Sequence, residues 1–392
     1  MPSHRIARGS NRARSSTVHH RVTIVPLPPK ATKAFLTLPW RVYTGDPNWV
    51  PPLLAERKQF LNPRKNPFFQ HGQVQLFLAR RGPTPVGRIA AIINTAHNAY
   101  HNEQAGFFGL FECLPQEEAA ATMLLEAATA WVRDRGAIFI RGPVNFSTNE
   151  LACGLLVDGF DTPPVFDSSY NPAYYPDYIE ASGLTACKDL LAYVKHYDPP
   201  LPERVQQVMT RLQARRKVTV RPLDMRHLMA EVLRITDIYN EAWGANWGFV
   251  PITEAEAHHM AKALKRAVIP ELALIAEVDA EPVGCFVALP DLNQALRHLH
   301  GRLTPWGLLR FLYNRRRIDT ARVAMLGVKP RYRRLGIDLL LLATCWELAP
   351  PLGYLHGELA WILEDNALVT RALAEIGATP YKRYRLYQKN LV

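Results

Sequence analysis

The chain has 392 residues, 48% of them hydrophobic and 21% charged, and a formal net charge of +12. That length suggests two or three domains with ample core, and no run approaches the ~20 apolar residues needed to span a bilayer. The charge favours an anionic partner such as a phosphorylated cofactor, an acidic protein or a membrane surface. The five scattered cysteines, with no CxxC, speak against a disulfide framework or a zinc site and for a reducing compartment.

Residues 1–20 carry Arg5, Arg8, Arg12 and Arg14 without an acid, the composition of a flexible basic tail. Patterning then predicts a strand at 22–26, helices at 31–43 and 51–60, and a hairpin of apolar strands at 74–81 and 85–94 that turns through "RGPT". A strand at 105–112, a long helix at 116–135, a strand at 137–142, a helix at 172–182 and a strand at 186–194 follow. The segment "HYDPPLPERV", His196 to Val205, has three prolines and reads as an extended linker.

The same order then recurs. A strand is expected at 218–223, helices at 225–243 and 253–266, a hairpin at 271–278 and 282–289, and a strand at 320–328. A helix at 336–349, a strand at 355–363, a helix at 366–376 and a strand at 381–388 complete it. Sequence echoes support a duplication. "VTIVPLP" from Val22 matches "VTVRPLD" from Val218, "PVG" starts at Pro85 and again at Pro282, and "GLTACKDLLAYVK" from Gly183 matches "GATPYKRYRLYQK" from Gly377. The offsets are 196, 197 and 194 residues. Three echoes in order imply a repeated unit of roughly 190 residues, a common domain size. The expected organisation is therefore a basic tail at 1–20, a first unit at 21–195, a linker at 196–205 and a second unit at 206–392. The fold class is mixed α/β, a mainly antiparallel sheet with helices on both faces.

Two insertions distinguish the units, at 142–172 in the first and 291–318 in the second, and insertions on a repeated scaffold usually shape the binding face. The first holds a dense polar set: Asn145, Ser147, Asn149, Glu150, Asp167, Tyr170 and Asn171. These residues could recognise an amino-alcohol head group, or they could hydrogen-bond their own backbone. The second insertion contains "LTPWGLLRFLYNRRR", with Thr304 as a cap and Pro305 in the first turn. Its aromatic and aliphatic residues beside an arginine cluster suit a membrane interface or an acyl-chain tunnel. A core helix covering the sheet is the favoured alternative.

The stretch "GVKPRYRRLGIDLLLL", Gly327 to Leu342, reads as strand end, basic turn and helix. Backbone N–H groups around Arg333, Arg334, Leu335 and Gly336 would face an anion at a helix N-terminus. Downstream, "ILEDNALVTRALAEIGA" places Asn366 after a strand and Gly377 eleven residues later. Together these segments resemble the GCN5-related N-acetyltransferase (GNAT) superfamily. In that superfamily an R/Q-x-x-G-x-G/A loop binds the cofactor pyrophosphate, and a later N-x-x-A-x-x-L-Y-x-x-x-G-F segment lines the pantetheine arm. Arg333 and Gly336 match the first motif; Asn366 and Gly377 match the second. Asp338, Leu373 and Ala378 depart from them, Leu373 standing where a tyrosine general acid is common. The first unit has the acidic junction "FECLPQEEAA" in place of the loop.

The resemblance therefore implies tandem GNAT-like domains, with the second unit binding an acyl thioester and the first, degenerate copy on the acceptor side. Donor contacts fall on Leu326, Val328, Arg333, Arg334, Leu335, Gly336, Asp338 and Asn366, with Leu326 and Val328 acting through their backbone. Longer segments, "LPWRVYTGDPNWVPPLLAERKQFLNPRKNPFF", "GPVNFSTNE" and "ELAWILEDN", are similar to the bacterial ceramide synthase-like family. That similarity implies N-acylation of a long-chain sphingoid base from acyl-CoA or acetyl-CoA, without a metal. An acyl carrier protein as donor, a small-molecule N-acetyltransferase and a non-catalytic tandem scaffold are the other readings. Nucleic acid is not an expected partner. For the base that takes the amine proton, Glu358 is the candidate, although a strand carboxylate is more often an exposed face residue. A cytoplasmic location, with contact at the inner membrane face, fits these expectations.

Overall fold

A computed structural model of the chain describes residues 21–28, 32–149, 152–198, 201–204, 206–207, 210 and 218–391. The basic tail expected at 1–20, Glu150, and residues 199–200 and 205 of the expected linker lie outside the described residues.

The described strands are β1 (Val22–Leu27), β2 (Gly72–Arg81), β3 (Thr84–Asn94), β4 (Ala105–Cys113), β5 (Phe139–Gly142), β6 (Leu155–Asp158), β7 (Thr185–His196), β8 (Val218–Pro222), β9 (Ala273–Val278), β10 (Glu281–Pro290), β11 (Thr320–Val328), β12 (His356–Leu363) and β13 (Thr379–Asn390). They join in one sheet of order β1-β2-β3-β4-β5-β13-β7-β12-β11-β10-β9-β8, with β6 pairing β13 at its side. The pairs β4–β5 and β11–β12 are parallel, and the others are antiparallel.

The centre of the sheet is an exchange. β7 runs beside β12, and β13 runs beside β5, so each half of the chain ends in a strand that borders the other half. β7 and β13 also pair with one another over most of their length. Tyr384, Leu386 and Tyr387 are fully buried there. Asp189 on β7 binds Arg383 at 2.9 Å and Arg385 at 2.7 Å across the pair, and these charge-assisted bonds hold its carboxyl below the usual range.

Both faces of the sheet are covered because the central strands are apolar on both sides. Along β10, Cys285 and Val287 face Ile235 and Ile238 of the helix Leu228–Trp243. Phe286 and Ala288 face Ile337, Leu341 and Cys345 of the helix Ile337–Leu348. This alternation is the period-two rule of a strand. In the other half the helix Glu118–Arg133 packs Ala120, Leu124, Ala128 and Val132 on the sheet. Small residues let it approach closely: a Cβ on Gly106 would lie 2.5 Å from Val132.

Several short elements went unpredicted, among them the helices Thr95–His101 and Asn293–Leu296 and the strand β6. One favoured expectation is corrected. The helix Pro305–Arg315 is not a core cover. None of its residues is buried, and Trp306 is 81% exposed.

Candidate active site

The site begins with a divergence of two parallel strands. β11 and β12 pair only from Thr320–Val323 to His356–Leu359. Beyond that β11 carries an irregularity at Ala324, between Met325 and Val323 in its register with β10. Lys329 N donates to Val283 O on β10 at 2.8 Å. Residues alternate sides along a strand, so the backbone groups of Leu326 and Val328 face the open wedge. Trp243 Nε1 donates to Leu326 O at 3.3 Å.

The corresponding wedge in the first half is closed. β4 and β5 pair over Ala105–Phe107, and the chain after β5 then fills the gap. Val144 N donates to Phe108 O at 2.8 Å, and Leu110 N donates to Asn145 Oδ1 at 2.8 Å. A Cβ on Gly109 would stand 2.3 Å from Val144 O, so the fit admits only glycine. The first half therefore has no open strand edge at this point to receive a ligand.

Behind the open wedge lies a cavity of about 310 Å³. One wall is Ala324 and Met325 of β11, and another is Ala360, Trp361 and Leu363 of β12. Val232, Ile235 and Tyr239 of Leu228–Trp243 and Met260 and Leu264 of the helix Glu254–Ala267 make its apolar end. The first half supplies Thr148, Asn149, Phe166 and Asp167. Contacts from that half also hold the roof at 244–252. Thr148 Oγ1 donates to Gly248 O at 2.5 Å, Asn149 Nδ2 donates to Val250 O at 2.6 Å, and Tyr239 OH donates to Asn149 Oδ1 at 2.6 Å. His71 Nε2 lies 3.0 Å from Glu256 Oε1, and that bond raises the pKa of the imidazole.

Charged groups gather on the first-half side of the cavity. Asp167 lines it with a backbone φ of 70°, and burial pushes its carboxyl above the ordinary carboxylate range against the pull of Arg322 and Arg57. Arg322 Nη1 donates to Phe166 O at 2.7 Å and to Ser168 Oγ at 3.0 Å, and its guanidinium lies 4.8 Å from the Trp361 ring centre. Beneath it Glu358 is 1% exposed, so its strand-face position is an internal one. Tyr381 OH donates to Glu358 Oε1, and Arg322 Nε stands 3.5 Å from Oε2. Burial pushes the Glu358 carboxyl up and holds the Lys382 ammonium down to about 8. Asp291, pushed up to about 7 by burial, accepts from Phe166 N at 2.7 Å.

The basic turn follows β11. Lys329 is committed to structure, with Nζ 2.6 Å from Asp237 and 2.8 Å from Glu241. Arg331 pairs with Glu281, and Arg333 donates to Ala242 O. Arg334 and Gly336 both adopt positive φ, 63° and 75°. The helix Ile337–Leu348 starts without a side-chain cap. Among the described residues the amides from Arg334 to Asp338 have no hydrogen-bond acceptor, so a row of donors remains at a helix N-terminus. Asp338 is exposed in the first turn.

The other expected residues fall in different places. Asn366 caps the helix Ala367–Glu375 by accepting from Val369 N at 3.3 Å, and Gly377 ends it at φ 78°. Leu373 is buried against Tyr193, Leu359 and Ile376. Of the polar set in the first insertion, Asn149 reaches the cavity. Asn145 and Asn171 bind backbone, the latter accepting from Leu156 N at 2.7 Å, and Tyr170 OH donates to Asp46 Oδ2 at 2.9 Å. Ser147 is buried and accepts from Asn149 N at 3.2 Å. Arg322 escaped the sequence reading; its signal was an arginine inside the otherwise apolar strand "TARVAMLGV". Among the described residues no group of three or more His, Cys, Asp or Glu could hold a metal ion.

No family model matches the sequence. Over 378 residues it is 37% identical to the Bacterial ceramide synthase of Caulobacter vibrioides (strain NA1000 / CB15N), a match spanning 94% of this chain and 98% of that protein. The chain belongs to the bacterial ceramide synthase family. Protein YghO of Escherichia coli (strain K12) is also 37% identical, over 92% of this chain and 93% of its own. Among solved structures, a tandem GNAT protein from the clavulanic acid biosynthesis pathway superposes with a TM-score of 0.57 at 12% identity, covering 94% of this chain and 98% of its own. A GCN5-related N-acetyltransferase from Sphaerobacter thermophilus gives 0.53 at 14%, with coverage of 94% and 95%. The fold is thus the tandem GNAT fold, and this member of the family is an N-acyltransferase.

Proposed function

We propose that the protein moves an acyl group from a CoA-type thioester to the amine of a long-chain sphingoid base. The observation that carries this reading is the open wedge between β11 and β12, which joins the uncapped helix N-terminus to a largely apolar cavity lined by the half-buried Asp167 carboxylate. The division into an acceptor-side unit at 21–195 and a donor-side unit at 206–392 belongs to the same reading. It is supported by the contrast between a plugged wedge and an open one.

In this reading the donor phosphates meet the amides of Arg334, Leu335, Gly336 and Asp338 and the side chain of Arg334. The pantetheine arm lies along the wedge, where backbone groups of Leu326 and Val328 pair with it and an N–H polarises the thioester carbonyl. Asn366 contributes by fixing the start of the helix beside the wedge. The acceptor nitrogen attacks the carbonyl carbon, a C–N bond forms and the C–S bond breaks. The proton shed by the nitrogen passes to the Asp167 carboxylate and from there to the departing thiolate, so that amide and free thiol are the products. Asn149 and Thr148 provide hydrogen bonds for a hydroxylated head group, and the apolar end accepts hydrocarbon.

Glu358 is the second candidate base, favoured by an Oε2 that has no hydrogen-bond partner in its buried setting. The two carboxylates are separated by measuring amide formation from acyl-CoA and sphinganine in Asp167→Asn and Glu358→Gln chains. Loss in the first with activity kept in the second supports Asp167, and the reverse supports Glu358. A carrier-bound acyl group is the alternative donor, since Asp338 beside the amides disfavours a doubly charged pyrophosphate more than a single phosphate. Calorimetry with CoA and with an acylated carrier protein separates the two.

A further inference from the structure

We propose that the helix Pro305–Arg315 is an interfacial anchor that seats the protein on an anionic lipid surface, with the acceptor amine drawn from that surface into the cavity. The second part rests on the N-acyltransferase reading above; the first does not.

The helix is a well-formed element whose large apolar residues, Phe311 apart, cover nothing in the protein. Thr304 caps it by accepting from Gly307 N at 3.0 Å, and Pro305 occupies its first turn. Trp306 is 81% exposed, Leu309 59%, Tyr313 58%, and Leu308 and Leu312 are also exposed. Phe311 turns inward to pack against the core. A cluster of large apolar side chains in water on an isolated surface helix marks an interaction site.

Charge selects the partner. From Gly301 to Ile318 the sequence has no acid, and Arg302, Arg310, Arg316 and Arg317 are exposed around the apolar residues, with Arg315 half-buried. Two copies packed through this face would set arginine against arginine at short range. A lipid surface satisfies both chemistries at different depths: acyl chains and headgroup boundary for Trp306, Leu309 and Leu312, anionic phosphates for the arginines.

Position connects the helix to the site. Its insertion is clipped to the first half at two places. Asn293 Nδ2 donates to Pro164 O at 2.9 Å, and Asp291 holds Phe166 N, next to Asp167 on the cavity wall. Trp40 Nε1 donates to His300 O at 3.4 Å, and Leu54 N donates to Gly301 O at 3.0 Å. A Cβ at Gly301 would lie 2.3 Å from the Trp40 ring, which fixes this joint closely. The anchor thus rises from the same first-half wall that carries Asp167, at the end of β11 opposite the phosphate loop. A lipid amine can enter there while a thioester donor enters from the loop side.

The test is co-sedimentation of the full chain with vesicles of phosphatidylcholine alone and of phosphatidylcholine mixed with phosphatidylglycerol. Binding is expected to the mixed vesicles and to fall as salt rises. The Arg310→Gln, Arg315→Gln, Arg316→Gln, Arg317→Gln chain should bind more weakly by roughly fivefold for each charge removed. The Trp306→Ser, Leu309→Ser, Leu312→Ser chain should lose binding at low salt as well. All of these residues but the half-buried Arg315 are exposed, so unfolding midpoints should stay nearly unchanged, and turnover of a detergent-dispersed amine should survive in both chains. No binding to mixed vesicles, or binding undiminished in both variants, overturns the anchor. So does a dimer in solution that the apolar variant dissociates, or selective capture of an acidic carrier protein by this face. Loss of turnover with every amine while vesicle binding persists would instead remove the activity reading and leave the anchor standing.

Discussion

Arg322 on β11 stands directly across from Glu358 on β12, the last but one residue pair before the strands part, with Nε 3.5 Å from Oε2. Both side chains are buried. The pair sits at the root of the wedge, where parallel pairing must hold for the divergence beyond it to be open. Removing the guanidinium alone leaves a buried carboxylate with only Tyr381 as a hydrogen-bond donor. Arg322→Ala is therefore expected to lose about 3–5 kcal/mol of stability, measured by urea unfolding. The double chain Arg322→Met, Glu358→Leu should lose much less, because no charge is stranded.

Asp167→Asn should lower kcat roughly 10²- to 10⁴-fold with donor affinity unchanged. The sign of the pH dependence follows from burial. A base must be ionised to act, and burial raises the pH at which Asp167 ionises. The rate with the native chain should thus climb with pH through a midpoint above the ordinary carboxylate range, and this limb should disappear in the asparagine chain. A limb that survives there assigns the titration to another group.

At the phosphate loop, Asp338 is an exposed acid in the first turn of a helix whose amides await an anion. Asp338→Ala is expected to tighten CoA binding several-fold, by a few tenths to 1 kcal/mol, with the gain shrinking as salt rises. Gly336→Ala should weaken it, since φ 75° strains a residue with a Cβ. Isothermal calorimetry checks both.

Asp291 gives a stability test. Its carboxyl is pushed up to about 7 by burial, from an ordinary value of 3.8. Between those values the folded chain holds a proton that the unfolded chain has lost, so this group favours folding less as pH rises from about 4 to 7. Asp291→Asn keeps an acceptor for Phe166 N and cannot ionise. The native chain should lose stability relative to this variant across that window, by about 1.4 kcal/mol for each unit of displacement. Parallel curves in denaturant titrations at pH 5 and pH 8 would refute it.

Much of this was legible in the sequence, and the remainder was illegible for physical reasons. The duplicated order of strands and helices appeared at nearly the expected bounds because apolar periodicity and turn residues are local signals. The exchange of β7 and β13 was not legible. Each strand pairs through backbone groups that any apolar strand offers, and the choice of neighbour depends on long-range closure. The basic turn was found from its glycine and cations, yet Lys329, Arg331 and Arg333 proved to be tied to the protein itself, leaving Arg334 and the amides. Glu358 was noticed as an odd carboxylate, but composition could not reveal that Arg322 lies opposite. In the polar insertion, Asn and Tyr side chains serve backbone as readily as ligand. Only the fold separates Asn149, which reaches the cavity, from Asn145, which plugs the first-half wedge. The helix Pro305–Arg315 has the composition of a core cover and of a surface anchor alike, so its exposure was a matter of tertiary placement.

In the proposed reading the wedge and cavity together perform N-acyl transfer to a long-chain amine. The most direct measurement incubates the protein with a long-chain acyl-CoA and sphinganine and follows both products by mass spectrometry. The expected result is N-acyl amide and free CoA in equal amounts, with neither formed in the Asp167→Asn chain beyond background. Free CoA without amide, or no consumption of a thioester that calorimetry shows to be bound, would contradict it.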